Sequence, residues 1–82
     1  MTYYVYLIIS KIKKKTISYV GYTKDIKKRL ILHNSGKGAK FTRGRFWKLV
    51  YSKKYRSKIK AMREEYKLKK NLELRKIIKS NA

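Results

Sequence analysis

The sequence contains no cysteine and no proline. The first absence excludes disulfide bridges and thiolate zinc sites as reinforcement. It also suits a reducing compartment, so a cytoplasmic location is expected. The second, with only four glycines, all between Gly21 and Gly44, argues for regular structure outside one loop rather than for disorder. Acidic residues are scarce: four Asp and Glu stand against 25 Lys and Arg. No apolar run approaches the roughly 20 residues that span a bilayer, and no membrane partner is expected. Met1-Thr2-Tyr3 places no basic segment ahead of an apolar stretch, so a secretory signal is not expected either.

What is present in excess is positive charge, +21 net. A field of this sign concentrates polyanions, of which nucleic acid is the commonest. Part of the lysine content, such as Lys13 to Lys15, Lys53-Lys54 and Lys69-Lys70, is also what a biased genome composition would give. At 82 residues the chain reads as one domain, 1–82, with a modest core.

Residues 3–9, YYVYLII, form a short apolar run rich in β-branched and aromatic side chains, the pattern of a strand. Residues 16–22, TISYVGY, read as a second, with the lysines between them as a solvated turn. In such an antiparallel hairpin Tyr4 and Tyr6 share one face of the first strand, and Ile17, Tyr19 and Gly21 one face of the second. Thr23 is the expected N-cap of a helix running to about Asn34. On it Ile26, Leu30 and His33 form a stripe, with Arg29 about 60° from Ile26 and one turn before His33. Residues 34–45 form a basic glycine-containing loop, and 47–55 a third strand. Ser57 is the expected cap of a helix to about Lys70, and a short helix follows over 73–79. On the long helix Ile59, Met62 and Tyr66 make one stripe and Ala61, Leu68 and Leu72 another. Glu65 falls between them and Glu64 points further away from the first. The expected fold is α+β, a three-stranded antiparallel sheet flanked by helices in the order β-β-α-β-α-α.

Tyr4-Val5-Tyr6, followed thirteen positions later by Tyr19-Val20-Gly21, resembles the paired motif that names the GIY-YIG nucleases. The first copy is degenerate, with Tyr4 in place of glycine, and the second has valine for isoleucine. Arg29, His33 and Glu65 stand where that family keeps its arginine, its histidine or tyrosine, and its metal-binding glutamate. HNSGKGAKFTRGR, then LVY and AMREEYKLKK, is similar to the short single-domain bacterial branch of the superfamily. The resemblance covers roughly residues 3–72. It departs at Phe46-Trp47, where the short branch usually has proline nearby, and no residue is assigned to the family's distal asparagine, Asn71 included.

The resemblance implies a metal-dependent endonuclease with Tyr6, Tyr19, Arg29, His33 and Glu65 as its site, and nucleic acid, DNA ahead of RNA, as its partner. Glu65 would hold one Mg²⁺ or Mn²⁺, and no small-molecule cofactor is implied. The residue types suit phosphodiester hydrolysis. A single carboxylate suffices for a hard cation that keeps most of its waters. Arginine clamps phosphate oxygens in a fork that lysine cannot form. A tyrosine hydroxyl can orient or deprotonate water once its pKa of about 10 is lowered, and the sequence does not divide that work between Tyr6 and Tyr19. His33 would take the proton onward or contact phosphate. Lys37, Lys40, Arg43 and Arg45 in the loop are candidate phosphate contacts.

Each residue also has an ordinary structural reading. The tyrosines are open to cross-strand packing, Arg29 and His33 to a solvated helix edge, and Glu65 to pairing with Lys69 four residues on. Phe41 is open to base stacking or core filling, whereas Trp47 is read as core. The alternative function is a non-catalytic nucleic-acid-binding module that keeps the fold and basic surface. A ribosome-associated structural protein is a third class; it would not require the site residues to converge.

Overall fold

The computed structural model describes residues 1–82 and has the expected order: β1 (Tyr3–Ile12), β2 (Lys15–Thr23), α1 (Ile26–Asn34), β3 (Lys48–Tyr55), α2 (Lys58–Lys70) and α3 (Leu72–Ser80). The three strands form one antiparallel sheet, ordered β2-β1-β3. β1 is therefore central. Six of its residues, Val5 to Ser10, are buried on alternating faces, which is why Val5 to Ile9 read as a continuous apolar run and not as an alternating one. None of the helices is long and apolar enough to cross a membrane.

Val5, Leu7, Ile9 and Val20 make one face and pack with Ala61 and Leu68 of α2. Tyr6 and Ile8 point to the other, where Trp47 closes a second cluster with Tyr19, Ile17, Leu30 and Leu49 around it. Trp47 is core, as expected. An irregularity between Leu7 and Ile8 in the pairing with β3 leaves Val50 without a partner opposite. Val50 and Tyr51 consequently both reach the first cluster while Leu49 reaches the second, the local twist that a bulge produces.

Three local features differ from the sequence reading. The hairpin turn contracts to Lys13-Lys14, because Lys11 and Ile12 continue the ladder to Thr16 and Lys15. Lys13 takes φ 56 there. Thr23 is not the cap of α1. It pairs with Tyr4 as the last residue of β2, and Asp25 caps the helix, its carboxylate accepting from the Lys28 N–H at 3.1 Å. An acid suits that end of the helix dipole. The chain breaks at Asn71, whose side chain accepts from the Leu74 N–H and starts α3 at Leu72; Leu72 thus leaves the α2 stripe and is exposed. Of the two stripes on α2, which the sequence does not rank, Ala61 and Leu68 face the sheet while Ile59, Met62 and Tyr66 face outward. Ser57 caps α2 as expected.

Candidate active site

A concavity of ≈ 730 Å³ lies where β1, β2, the start of α1 and α2 meet. Tyr6, Tyr19, Arg29 and Glu65 all line it. The strand periodicity explains the first two. Tyr6 pairs with Gly21 and Ile8 with Tyr19, so Tyr6 and Tyr19 point to one face from adjacent strands. Arg29 reaches in from the α1 edge and Glu65 from the flank of α2 between its two stripes.

Gly21 opens this corner. The Tyr6 ring lies directly over its Cα, and a Cβ there would collide with the Tyr6 hydroxyl and ring carbons. Gly21→Ala is therefore expected to destabilise the fold by about 1–3 kcal/mol through overpacking. It should also push the Tyr6 hydroxyl from its partner; a thermal melt and the tyrosine signals in an NMR spectrum check both effects.

That partner is His33, which does not line the cleft. It is 1% exposed, beneath the cleft floor. The Tyr6 hydroxyl meets its Nε2 at 2.7 Å, and its Nδ1 meets Thr42 Oγ1 at 2.9 Å. Thr42 donates its own proton to the Ala39 carbonyl at 3.0 Å and accepts the Ala39 N–H at 3.2 Å. This network assigns Thr42 as acceptor toward the ring. Nδ1 then carries the proton, and Nε2 offers its lone pair to the Tyr6 O–H. Burial first, and the nearby Arg29 charge second, lower the His33 pKa from its ordinary 6.5, so the ring is held neutral. Burial, then the Tyr19 phenol, raises the Tyr6 pKa well above the usual range; Glu65 adds to the rise and Arg29 opposes it.

The loop from Ser35 to Trp47 is tied down over this network. Asn34 brackets Trp47, its Oδ1 accepting the backbone N–H at 2.6 Å and its Nδ2 donating to the carbonyl at 3.2 Å. The Trp47 indole N–H donates to the Thr42 carbonyl at 2.9 Å. Gly38 passes so close to His33 that a Cβ would strike the imidazole. Its lack of a side chain thus makes room for the ring. Lys37, Lys40, Arg43 and Arg45 sit on this loop beside the cleft and are not part of its wall.

Three cations of the wall escape sequence reasoning: Lys24, Lys28 and Lys58. A signal exists for two of them. Lys28 immediately precedes Arg29, and Lys58 is seven residues before Glu65, about 20° away on the same helical face.

Glu65 is the carboxylate of the cleft left free for a cation. Asp25 also lines it but caps α1, and Glu65 has only a long pair, 3.5 Å, with the half-exposed Lys69. No cluster of three or more metal-ligating side chains exists. One carboxylate in an open cavity fits a hard divalent ion that takes its remaining ligands from water and phosphate, and does not fit zinc, which takes three or four protein ligands. Glu64, one residue away, lines a different groove with Tyr51, Tyr55 and Asn71 and pairs with Lys67 at 3.2 Å.

Comparison with known proteins gives concordant matches. A UPF0213 protein of Oceanobacillus iheyensis is 43% identical over 68 residues, 82% of this chain and 76% of its own length. One from Streptococcus agalactiae is 58% identical over 48 residues, 57% of this chain and 54% of its own, so the match spans about half of that relative. The solution NMR structure of a UPF0213 protein from Bacillus halodurans shares 47% identity over 84% of this chain and 71% of that one, with a TM-score of 0.46. The family model of the GIY-YIG catalytic domain matches residues 2–77, and the chain belongs to that family.

Proposed function

We propose that the chain is a divalent-metal-dependent endonuclease that hydrolyses phosphodiester bonds, with DNA as its substrate ahead of RNA. The observation that carries this reading is the convergence of Tyr6, Tyr19, Arg29 and Glu65 on one basic cleft, with a neutral proton acceptor hydrogen-bonded behind it.

Glu65 would hold one Mg²⁺ or Mn²⁺, which when bound supplies Lewis-acid polarisation of the phosphate and of the leaving oxygen. Arg29 grips the non-bridging phosphate oxygens and stabilises the charge that grows on them. Lys24, Lys28 and Lys58 hold the flanking backbone by charge. The raised pKa of Tyr6 makes a standing phenolate unavailable. Its hydroxyl acts as a conduit instead: the Tyr6 oxygen takes a proton from the attacking water as its own proton passes to His33 Nε2. The Tyr19 hydroxyl, with no hydrogen-bond commitment to His33, orients the water or the phosphate from the neighbouring strand. The test is a panel of labelled DNA and RNA strands, duplexes, flaps and nicked duplexes with either metal, run beside Glu65→Ala.

The relay requires His33 neutral. Because its pKa is lowered from 6.5, the acid limb of the cleavage pH profile should lie below 6.5. The same shift affects stability. Between the folded and the ordinary pKa the unfolded chain binds more protons at this site, so stability rises with pH there and is lost as pH falls. Thermal melts at pH 7.5 and 5.5 should show a loss on acidification that shrinks in His33→Gln.

A further inference from the structure

The loop that seals His33 carries two aromatic side chains that the fold leaves in solvent. Phe46 is 77% exposed and Phe41 50%. They alternate with cations in the run Lys40-Phe41-Thr42-Arg43-Gly44-Arg45-Phe46. An exposed phenylalanine forgoes the stabilisation that burial of its ring would give, and Phe46 has no counterpart in either core cluster. Phe41 is also placed by its neighbours. Its ring stacks on Tyr19, centroids 6.2 Å apart and planes 21° apart, and the Arg45 guanidinium lies 5.5 Å from its centre. Tyr19 is itself a wall of the cleft. The aromatic surface therefore continues outward from the cleft, through Tyr19 to Phe41. The backbone beneath the two rings is anchored, since Thr42 and Trp47, each next in sequence to one of them, are both buried and hydrogen-bonded.

We infer that Phe41 and Phe46, with Arg45, form a stacking platform for unpaired bases of the DNA strand that enters the cleft, which makes a single-stranded segment beside the scissile phosphate the preferred substrate. This rests on the reading of the cleft as a phosphodiester site. Bases in a duplex already stack on each other and present only their edges and backbone. An exposed ring adjoining cations can stack on an unpaired base without the cost of unstacking a duplex step. Charge alone binds both forms. The aromatic rings are what discriminate, and the stacking of Phe41 on Tyr19 favours nucleic acid over a lipid surface.

Equilibrium binding to a twelve-nucleotide DNA single strand and to the blunt duplex of the same sequence, in EDTA at fixed salt, tests this without requiring turnover. Phe46→Ala leaves the core untouched and should weaken single-strand binding by roughly 5- to 150-fold, with duplex binding changed less than about twofold. Phe41→Leu keeps apolar packing on Tyr19 but lacks a π face, and should show the same selective loss. Phe46→Trp should retain affinity, and its indole emission should be quenched by the single strand. Equal losses on both forms, or none, would overturn the proposal. So would a loss of binding to anionic phosphatidylserine vesicles in Phe46→Ala with single-strand binding intact. If wild type cleaves nothing while selective binding holds, the enzymatic reading fails and the platform stands.

Discussion

Glu65→Ala is expected to reduce cleavage by about 10³-fold or more while nucleic acid is still bound. The Lewis-acid contribution of a metal to phosphoryl chemistry is several kcal/mol, and each 1.36 kcal/mol is a factor of ten in rate. Glu65 is the cleft carboxylate free to hold the ion, so nothing nearby replaces it. Binding comes from other groups. Arg29, Lys24, Lys28 and Lys58 remain in the wall, and removing a negative charge raises the local potential, so affinity should hold or increase. The fold should also survive. The pair with Lys69 is half-exposed, and such pairs contribute about 0–1 kcal/mol. Glu64→Ala is the control: it removes the same group from the adjacent residue, in a groove away from Tyr6 and Tyr19. It should cleave normally. If wild type and Glu65→Ala give the same trace cleavage with both metals, the nuclease reading is lost and a binding module takes its place.

The element order is legible in the sequence because each element carries its own period. Alternation puts Tyr19 and Gly21 on one face of β2, but it is the two-residue turn, by setting Gly21 opposite Tyr6, that brings Tyr6 and Tyr19 to the same side. Helical periodicity by itself sets Glu65 between the two stripes of α2, hence at the flank of the sheet. Which stripe is buried is less legible. Ile59, Met62 and Tyr66 are larger than Ala61, and periodicity does not weigh size. The helix docks through Ala61 because a small residue permits close approach to β1 and β2. Thr23 and Asp25 satisfy the same capping rule, and what decides between them is the ladder pairing of Thr23 with Tyr4. The sequence places His33 at a helix edge near the phosphate. Its burial depends on the loop folding back, through the bond from His33 to Thr42 nine residues on and those from Asn34 to Trp47 thirteen residues on, which no local pattern encodes. The four loop cations are visible as charge, but their staying out of the cleft wall while Lys24, Lys28 and Lys58 enter it is not.

Tyr6→Phe should lose about 10²–10⁴-fold in cleavage, the usual worth of general acid–base catalysis, with the fold intact. The ring stays in its slot over Gly21 and only the hydroxyl goes. His33 Nε2 is then left buried without its partner, which costs about 1–3 kcal/mol and should lower the melting temperature by several degrees. His33→Gln interrupts the same path one step later, and should lose activity comparably while an amide still bonds Thr42. If proton passage through Tyr6 to His33 is one unit, the two losses are not additive. The double variant Tyr6→Phe/His33→Gln should then be no slower than the worse single one, as groups that act together behave. Tyr19→Phe supplies the contrast. Its hydroxyl acts from the other strand, so its loss should multiply with that of His33→Gln and leave the acid limb of the pH profile in place, whereas Tyr6→Phe should abolish that limb. Multiplicative losses for Tyr6 and His33 would mean that the 2.7 Å bond between them is structural only, and that the proton leaves the cleft by way of Tyr19.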